Sequence, residues 1–276
     1  LRQNFVMDFV DMDSAKFEAY AEAGGLLAPV HAREARYLSA YERSVAARAD
    51  AGLFVSEAEA ALFRDRTGAD NVRALANGID ARHFAPDSAF PRLGEAERAQ
   101  GPILLFTGQM DYRPNIDAVR WFAEEVLPRV PQGRFVIAGR NPTREVKALA
   151  GPRVTVTGAV RDMRSWLAAA DVVVAPLRIA RGIQNKVLEA MAMARPVVAS
   201  PAAFEGIEAE PGRDLIVAGE AGAMADEIAA LIEAPDRAAA LGTAGRTLVV
   251  SRYGWEARLA PLEGLILPTG AARAAA

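Results

Sequence analysis

The sequence predicts an α/β protein with a complete doubly wound parallel sheet in its C-terminal part and a thinner sheet of the same kind ahead of it. Three observations lead there. Short runs that are apolar at every position recur along the chain, as strands do when both faces of their sheet are covered. Helical stretches separate these runs, the alternation that wraps helices around a parallel sheet. The third is composition: 276 residues, 51% hydrophobic and 24% charged, with 22 Gly and 16 Pro. That is a globular profile, and it is long enough for two domains.

In chain order, NFVMDFV (4–10) reads as a strand and SAKFEAYAEAGG (14–25) as a helix. The amphipathic stretch 32–49 is followed by the apolar run GLFVS (52–56), a helical EAEAALFRDRT (57–67) and a strand VRAL (72–75) that closes on the turn NGID (77–80). Residues 81–100 lose all periodicity and read as a linker. Five strands follow at short intervals: PILLFTG (102–108), RFVIAG (134–139), RVTVTG (153–158), DVVVAPL (171–177) and PVVAS (196–200). A sixth, DLIVAG (214–219), leads into the helix 222–234, helical text spans 235–266, and 267–276 reads as a loose tail. The expected division is therefore a first domain over 1–80, a linker over 81–100, a second domain over 101–250 and a C-terminal helix over 251–266 that packs back on the first. The chain opens on Leu1 and enters a strand at once. About three strands are few for a domain of ordinary size, so an N-terminal part is expected to be missing.

Composition also narrows the function classes. A formal net charge of −3 offers no basic surface for nucleic acid. The chain has no cysteine, which removes disulfides and thiolate zinc sites. No apolar run approaches the ~20 residues of a membrane-spanning helix. Neither a P-loop nor a dinucleotide fingerprint is present.

In open parallel sheets, ligands bind beyond the carboxyl ends of the strands, where loops meet helix N-termini. The 177–183 loop is such a place. Gly182 lets the backbone approach a ligand, and the amides after it are free for an anion. Lys186 and Glu189 are three residues apart and share one helix face, a cation suited to phosphate beside a carboxylate suited to sugar hydroxyls. The competing reading is a solvated pair worth a few tenths of a kcal/mol.

The wording of this helix favours the functional reading. GIQNKVLEAMAMARPVV (182–198) resembles the signature helix of glycosyltransferase family 4. LANGID with Phe84 and Pro86 is similar to that family's crossover into its second domain, and FTGQMDYRPNIDAV (106–119) to the glycine loop that opens it. TGAVRDMRSWLAAADVVVAP (157–176), AAFEGI, GRDLIVAG and RYGWE also fit. The variants MDYRPN and RGIQNK, with VDMDSAKF upstream, are most similar to the sugar transferases of bacterial exosortase (PEP-CTERM) exopolysaccharide loci. The resemblance implies the GT-B fold, two Rossmann-like domains facing each other across a cleft, of which the first is partial here.

Carried over position by position, the resemblance gives Lys186, Glu189 and Arg113 as the catalytic set. Glu189 matches the second Glu of the family's E-x7-E pair, which binds the donor ribose. The first Glu falls at Arg181, a side chain that cannot accept a hydrogen bond but neutralises a phosphate or carboxylated sugar. Gly182, Ile183 and Gln184 match the loop on the donor's sugar and phosphate, Gly108 the close-approach position, and Ala159, Val160 and Arg161 the nucleobase loop. Gln109 stands where the family has an Arg, Arg113 is the replacement for its Lys, and Ala194 replaces the usual Gly after the helix.

Other candidates keep two readings. Asp11-x-Asp13 is either an acceptor-side group near the donor sugar, with Asp8 beside it, or part of the cap of the next helix through Asp13 or Ser14. His31 and His83 read as surface residues, and Trp121, Trp166 and Trp255 as core or helix-packing residues. The implied activity is retaining transfer from a UDP- or GDP-linked sugar to a saccharide or lipid-linked saccharide acceptor in exopolysaccharide biosynthesis. No metal or other cofactor, no nucleic-acid partner and a cytoplasmic location, loosely peripheral at the inner membrane, go with it. A GT-B nucleotide-sugar epimerase and a non-catalytic nucleotide-sugar-binding fragment are the alternatives.

Overall fold

The computed structural model describes residues 4–22, 24–94, 101–180 and 182–266. Two compact units emerge, one running to Gly78 and resuming at Trp255, the other Ile79–Gly254.

The first unit holds β1 (Val6–Val10), α1 (Asp13–Glu22), α2 (Ala28–Ala46), β2 (Ala51–Phe54), α3 (Glu57–Thr67) and β3 (Val72–Ala74). The three strands are parallel in the order β1-β2-β3, over a small core of Met12, Phe54, Phe63 and Val72 with Phe9 stacked on Phe54. Ser56 caps α3 by accepting the Glu59 amide, and Gly68 ends it at φ 70. The start of α1 is capped differently from expectation. Among the described residues, neither Asp13 nor Ser14 accepts an amide there. Instead Glu59 accepts the Met12 amide at 2.7 Å, and Glu42 of α2 accepts both the amide and the hydroxyl of Ser14, at 3.0 and 2.6 Å. Carboxylates from two other elements take the capping role because the α1 start is buried against them, with Ser14 fully covered. His31 is half-buried against the Phe17 and Tyr20 rings rather than free at the surface.

The second unit holds β4 (Ile103–Thr107), α4 (Arg113–Trp121), β5 (Arg134–Ala138), α5 (Arg144–Lys147), β6 (Val154–Gly158), α6 (Met163–Ala169), β7 (Val172–Ala175), α7 (Asn185–Ala192), β8 (Val197–Ala199), α8 (Pro201–Phe204), β9 (Ile216–Val217), α9 (Ala221–Glu233) and α10 (Pro235–Arg252). Its six strands are all parallel in the order β6-β5-β4-β7-β8-β9. This is the doubly wound order, and the connections change direction between β4 and β7. All residues of β4, β5, β7 and β8 are buried, including the polar Thr107 and Arg134 at the ends of their apolar runs. Each large aliphatic side chain covered in this way contributes about 1.5–3 kcal/mol.

The helical text 235–266 is two helices, α10 and α11 (Trp255–Ile266), the latter in the first unit. The break follows from Tyr253, which is fully buried and whose carbonyl accepts the Ile79 amide at 2.7 Å instead of continuing the helix. Trp121 and Trp166 pack on the core, whereas Trp255 is 43% exposed. After α7 the chain turns at Ala194, which holds φ 53 where a glycine would be unstrained.

Left-handed backbone costs an L-residue about 1–2 kcal/mol, offset by the greater unfolded-state freedom of glycine. Ala194→Gly is therefore expected to stabilise the protein by about 1 kcal/mol, read as a higher Tm in calorimetry with nucleotide binding unchanged. A lower Tm would contradict the strain.

Candidate active site

Next to the place where the strand order reverses, the loops after β4 and β5 are tightly laced. Beyond β4 and β5 the chain passes through Gly108 and Gly139, whose backbones touch: a Cβ on Gly139 would lie 1.6 Å from the Gly108 carbonyl oxygen. The Gly108 amide donates to Ala138 and the Met110 amide to Arg140, at 3.1 and 2.8 Å. Side chains tie the same loops, Arg140 Nη2 to Gln109 Oε1 at 2.9 Å and Asn141 Nδ2 to Asp111 Oδ2 at 3.1 Å. A cavity of about 680 Å³ opens above this crossing, bounded by both glycines, the 159–163 loop and the start of α7. Its volume suits a drug-sized or nucleotide-sized ligand.

Helix α7 supplies the charge. No side chain caps its first turn, so its N-terminal amides and the positive end of its dipole face the cavity mouth. Lys186 projects from that turn, its Nζ donating to Asn115 Oδ1 at 2.5 Å and lying 4.3 Å from the centre of the Phe106 ring. Burial pulls its pKa down to about 8, against the attraction of Glu189. Glu189, one turn on, lines the same cavity, and its carboxylate accepts no hydrogen bond among the described residues. Burial pushes it up to about 7, with Lys186 pulling the other way. A half-covered cation and an unengaged carboxylate at one hollow can meet an anion and hydroxyl groups respectively.

The structure brings together Gly108, Ala159, Val160, Ile183, Gln184, Lys186 and Glu189 around this cavity. Gly182, exposed at φ 65, precedes them in the same loop but is not in the wall. Arg113 is exposed on the first turn of α4, in the electrostatic neighbourhood of Asp117, and does not line the cavity. Arg161 is likewise exposed and outside the wall. Arg181 lies outside the described residues. Asp11 and Asp13 are in the other unit, both exposed, with Asp13 3.7 Å from the Lys16 ammonium.

Several polar residues of the wall escaped the sequence reading, Arg140 and Asn115 among them. Arg140 follows the glycine that ends RFVIAG, so the rule that selected the 177–183 loop would have selected it too. Asn115 gave no such signal, because an Asn in the first turn of a helix reads as solvated. Phe84 and Met163 complete the apolar side.

Residues 101–234 match the model of a family described as Glycosyl transferases group 1. A GDP-mannose-dependent monoacylated alpha-(1-6)-phosphatidylinositol monomannoside mannosyltransferase of Corynebacterium glutamicum is 24% identical, over 78% of this chain and 61% of that protein. A GDP-mannose-dependent alpha-(1-6)-phosphatidylinositol monomannoside mannosyltransferase of Mycobacterium tuberculosis is 29% identical, over 92% and 72%. Among solved structures, a glycosyltransferase from Rickettsia africae superposes with a TM-score of 0.65 at 16% identity, over 83% of this chain and 66% of that one. Anabaena HepE in complex with UDP and glucose gives 0.64 at 17%, over 95% and 70%. The chain thus spans 61% of the length of the C. glutamicum relative. The α/β architecture is one that these solved glycosyltransferase structures share, and residues 101–234 are similar to the group 1 glycosyltransferase family.

The two shifted groups set the pH behaviour of the empty site. Glu189 holds its proton to about pH 7 when folded and loses it near 4.5 when unfolded. Its contribution to stability is present below the lower value and lost as pH rises through the upper one. Lys186 runs the other way, its contribution present above 10.5 and lost as pH falls through about 8. Glu189→Gln should therefore raise Tm relative to wild type by an increment that grows between about pH 4.5 and about pH 7 and levels off above it. A difference that stays constant with pH in a Tm series would contradict the burial of this carboxylate.

Proposed function

We propose that the chain is the donor-binding portion of a retaining glycosyltransferase. It moves a sugar from a UDP- or GDP-linked donor to a saccharide or lipid-linked saccharide acceptor. The observation that carries the reading is the pairing, in one cavity at the reversal of strand order, of a half-buried Lys186 with an unengaged Glu189. In this reading the ribose hydroxyls donate to Glu189. Lys186, Arg140 and the open N-terminus of α7 meet the negative charge that grows on the departing diphosphate, which is the charge a transition state needs stabilised. Gly108 and Gly139 keep the floor free of side chains so that this charge lies against backbone. Val160, Met163 and Phe84 offer an apolar wall to the base. With cations supplied by the chain, the proposal includes no metal or other cofactor.

The curated relatives named above are GDP-mannose-dependent and HepE was solved with UDP, so both nucleotides stay in the proposal. Retention of configuration and a place in exopolysaccharide assembly rest on the resemblance of the MDYRPN and RGIQNK segments. A cytoplasmic location at the membrane face is part of the same reading. No helix among the described residues is long and apolar enough to cross a membrane. One feature supports a peripheral contact: the turn before α2 exposes Leu26 and Leu27 and the first turn of α2 exposes Val30, ahead of Arg33 and Arg36, apolar tips followed by cations as interfacial segments have.

In an assay with donor and acceptor, Glu189→Ala should lower transfer by roughly 10²-fold or more while circular dichroism stays native. Lys186→Ala should lower kcat more than it raises KM. Wild-type turnover in the Glu189 variant would contradict the ribose role. Conversion of the donor without acceptor would favour an epimerase, and tight donor binding without any product a non-catalytic module. Leu26→Asp with Leu27→Asp should weaken co-sedimentation with anionic vesicles and leave nucleotide binding unchanged; unchanged sedimentation would remove the membrane contact.

A further inference from the structure

Asn115 is a buried polar residue, 5% exposed, in the first turn of α4. Its amide is divided between two elements. Nδ2 donates to the Gln109 carbonyl at 2.9 Å, within the loop that follows β4, and Oδ1 accepts from Lys186 Nζ of α7. The orientation of the amide is fixed by its partners, because a lysine can only donate and a carbonyl can only accept. Both contacts converge on the backbone crossing. A Cβ on Gly108 would meet Asn115 Nδ2 at 2.8 Å and Lys186 Nζ at 3.2 Å. A long, flexible lysine stem thus ends at one defined point over the loop, held by the amide on one side and the Phe106 ring on another. Left without an acceptor, an ammonium on four rotatable carbons would spread over many positions.

We propose that Asn115 is a positioning residue for Lys186: its amide bridges the β4 loop and α7 and fixes the ammonium over Gly108, where a diphosphate oxygen is met. The siting of the diphosphate rests on the function proposed above; the bridge does not. A second effect follows from the same contact. An acceptor at Oδ1 stabilises the charged form of a lysine whose burial favours the neutral one. Among the described residues, the other charged groups of the cavity are Glu189, on the same helix, and Arg140, from the loop after β5. A role confined to holding the loop through Gln109 is the competing explanation, and two substitutions separate them. Asn115→Asp keeps an acceptor for Lys186 and loses the donor to Gln109, whereas Asn115→Leu loses both.

The chain has three lysines, Lys16, Lys147 and Lys186, so carbon-13 lysine NMR follows Lys186 directly with two internal references. Relative to wild type, Lys186 is expected to titrate at lower pH in Asn115→Leu and at higher pH in Asn115→Asp, with Lys16 and Lys147 unmoved. Affinity of the Leu variant for UDP or GDP near pH 7.5 should fall by about tenfold, the loss of one charge-assisted contact. An unchanged Lys186 titration in both variants, or a shift in the same direction in both, overturns the proposal. If the Leu variant does not fold, the Asp variant decides alone, since an unmoved or lowered titration there overturns it as well. Opposite shifts in a wild-type background that binds neither nucleotide would uphold the bridge and overturn the diphosphate reading instead.

Discussion

The contact between the backbones of Gly108 and Gly139 is the constraint on which the rest of the cavity depends. Two parallel strands end there with their loops so close that a single methyl group would lie 1.6 Å from a carbonyl oxygen. Closeness at the floor leaves the space above it open, and the loops are then tied by Arg140–Gln109 and Asn141–Asp111. Helix α7 arrives from the other side of the strand-order reversal with an uncapped first turn. Fold and site are therefore one arrangement: the reversal creates the crevice, the glycines clear its floor, and the helix end gives it a positive rim.

Charge in this crevice comes at a cost to the empty protein. Lys186 and Glu189 are each displaced toward their neutral forms by burial, to about 8 and about 7. An optimised core would cover such groups with partners or replace them by apolar ones. A ligand that brings an anion to the lysine and hydroxyl donors to the carboxylate removes both penalties at once, so local instability and binding have the same origin. The neighbouring surface shows what charges look like where they serve structure. Arg178 embraces Asp117 with two hydrogen bonds, and that carboxyl titrates below its ordinary value.

Much of this was legible in the residues. The runs ILLFT and VVVA announce fully covered strands, and both lie in the sheet interior, whereas RVTVTG and DLIVAG became the edge strands β6 and β9. The text around α7 put Lys186, Glu189, Ile183 and Gln184 close together, because a helix fixes its own spacings, and all four line the cavity. What resisted reading depended on partners distant in sequence. Ser14 looked like its own cap until Glu42 proved to hold it. Arg113 fits the linear pattern of a phosphate-binding loop but stands exposed outside the cavity wall, while Arg140, from a different loop, lines it. The end of α10 at Tyr253 depends on a carbonyl taken by Ile79, far upstream. Asn115 was silent for the same reason: its meaning lies in Lys186, 71 positions away.

The central claim is that the cation at the mouth of this crevice recognises the second phosphate of a nucleotide. Calorimetric titration of nucleoside monophosphates against the corresponding diphosphates, in wild type and in Lys186→Met, tests it most directly. A diphosphate cradle requires wild type to bind the diphosphate at least about tenfold more tightly than the monophosphate, with the gap closing in the methionine variant. Equal affinities in wild type, or a gap that survives loss of the lysine, would contradict it.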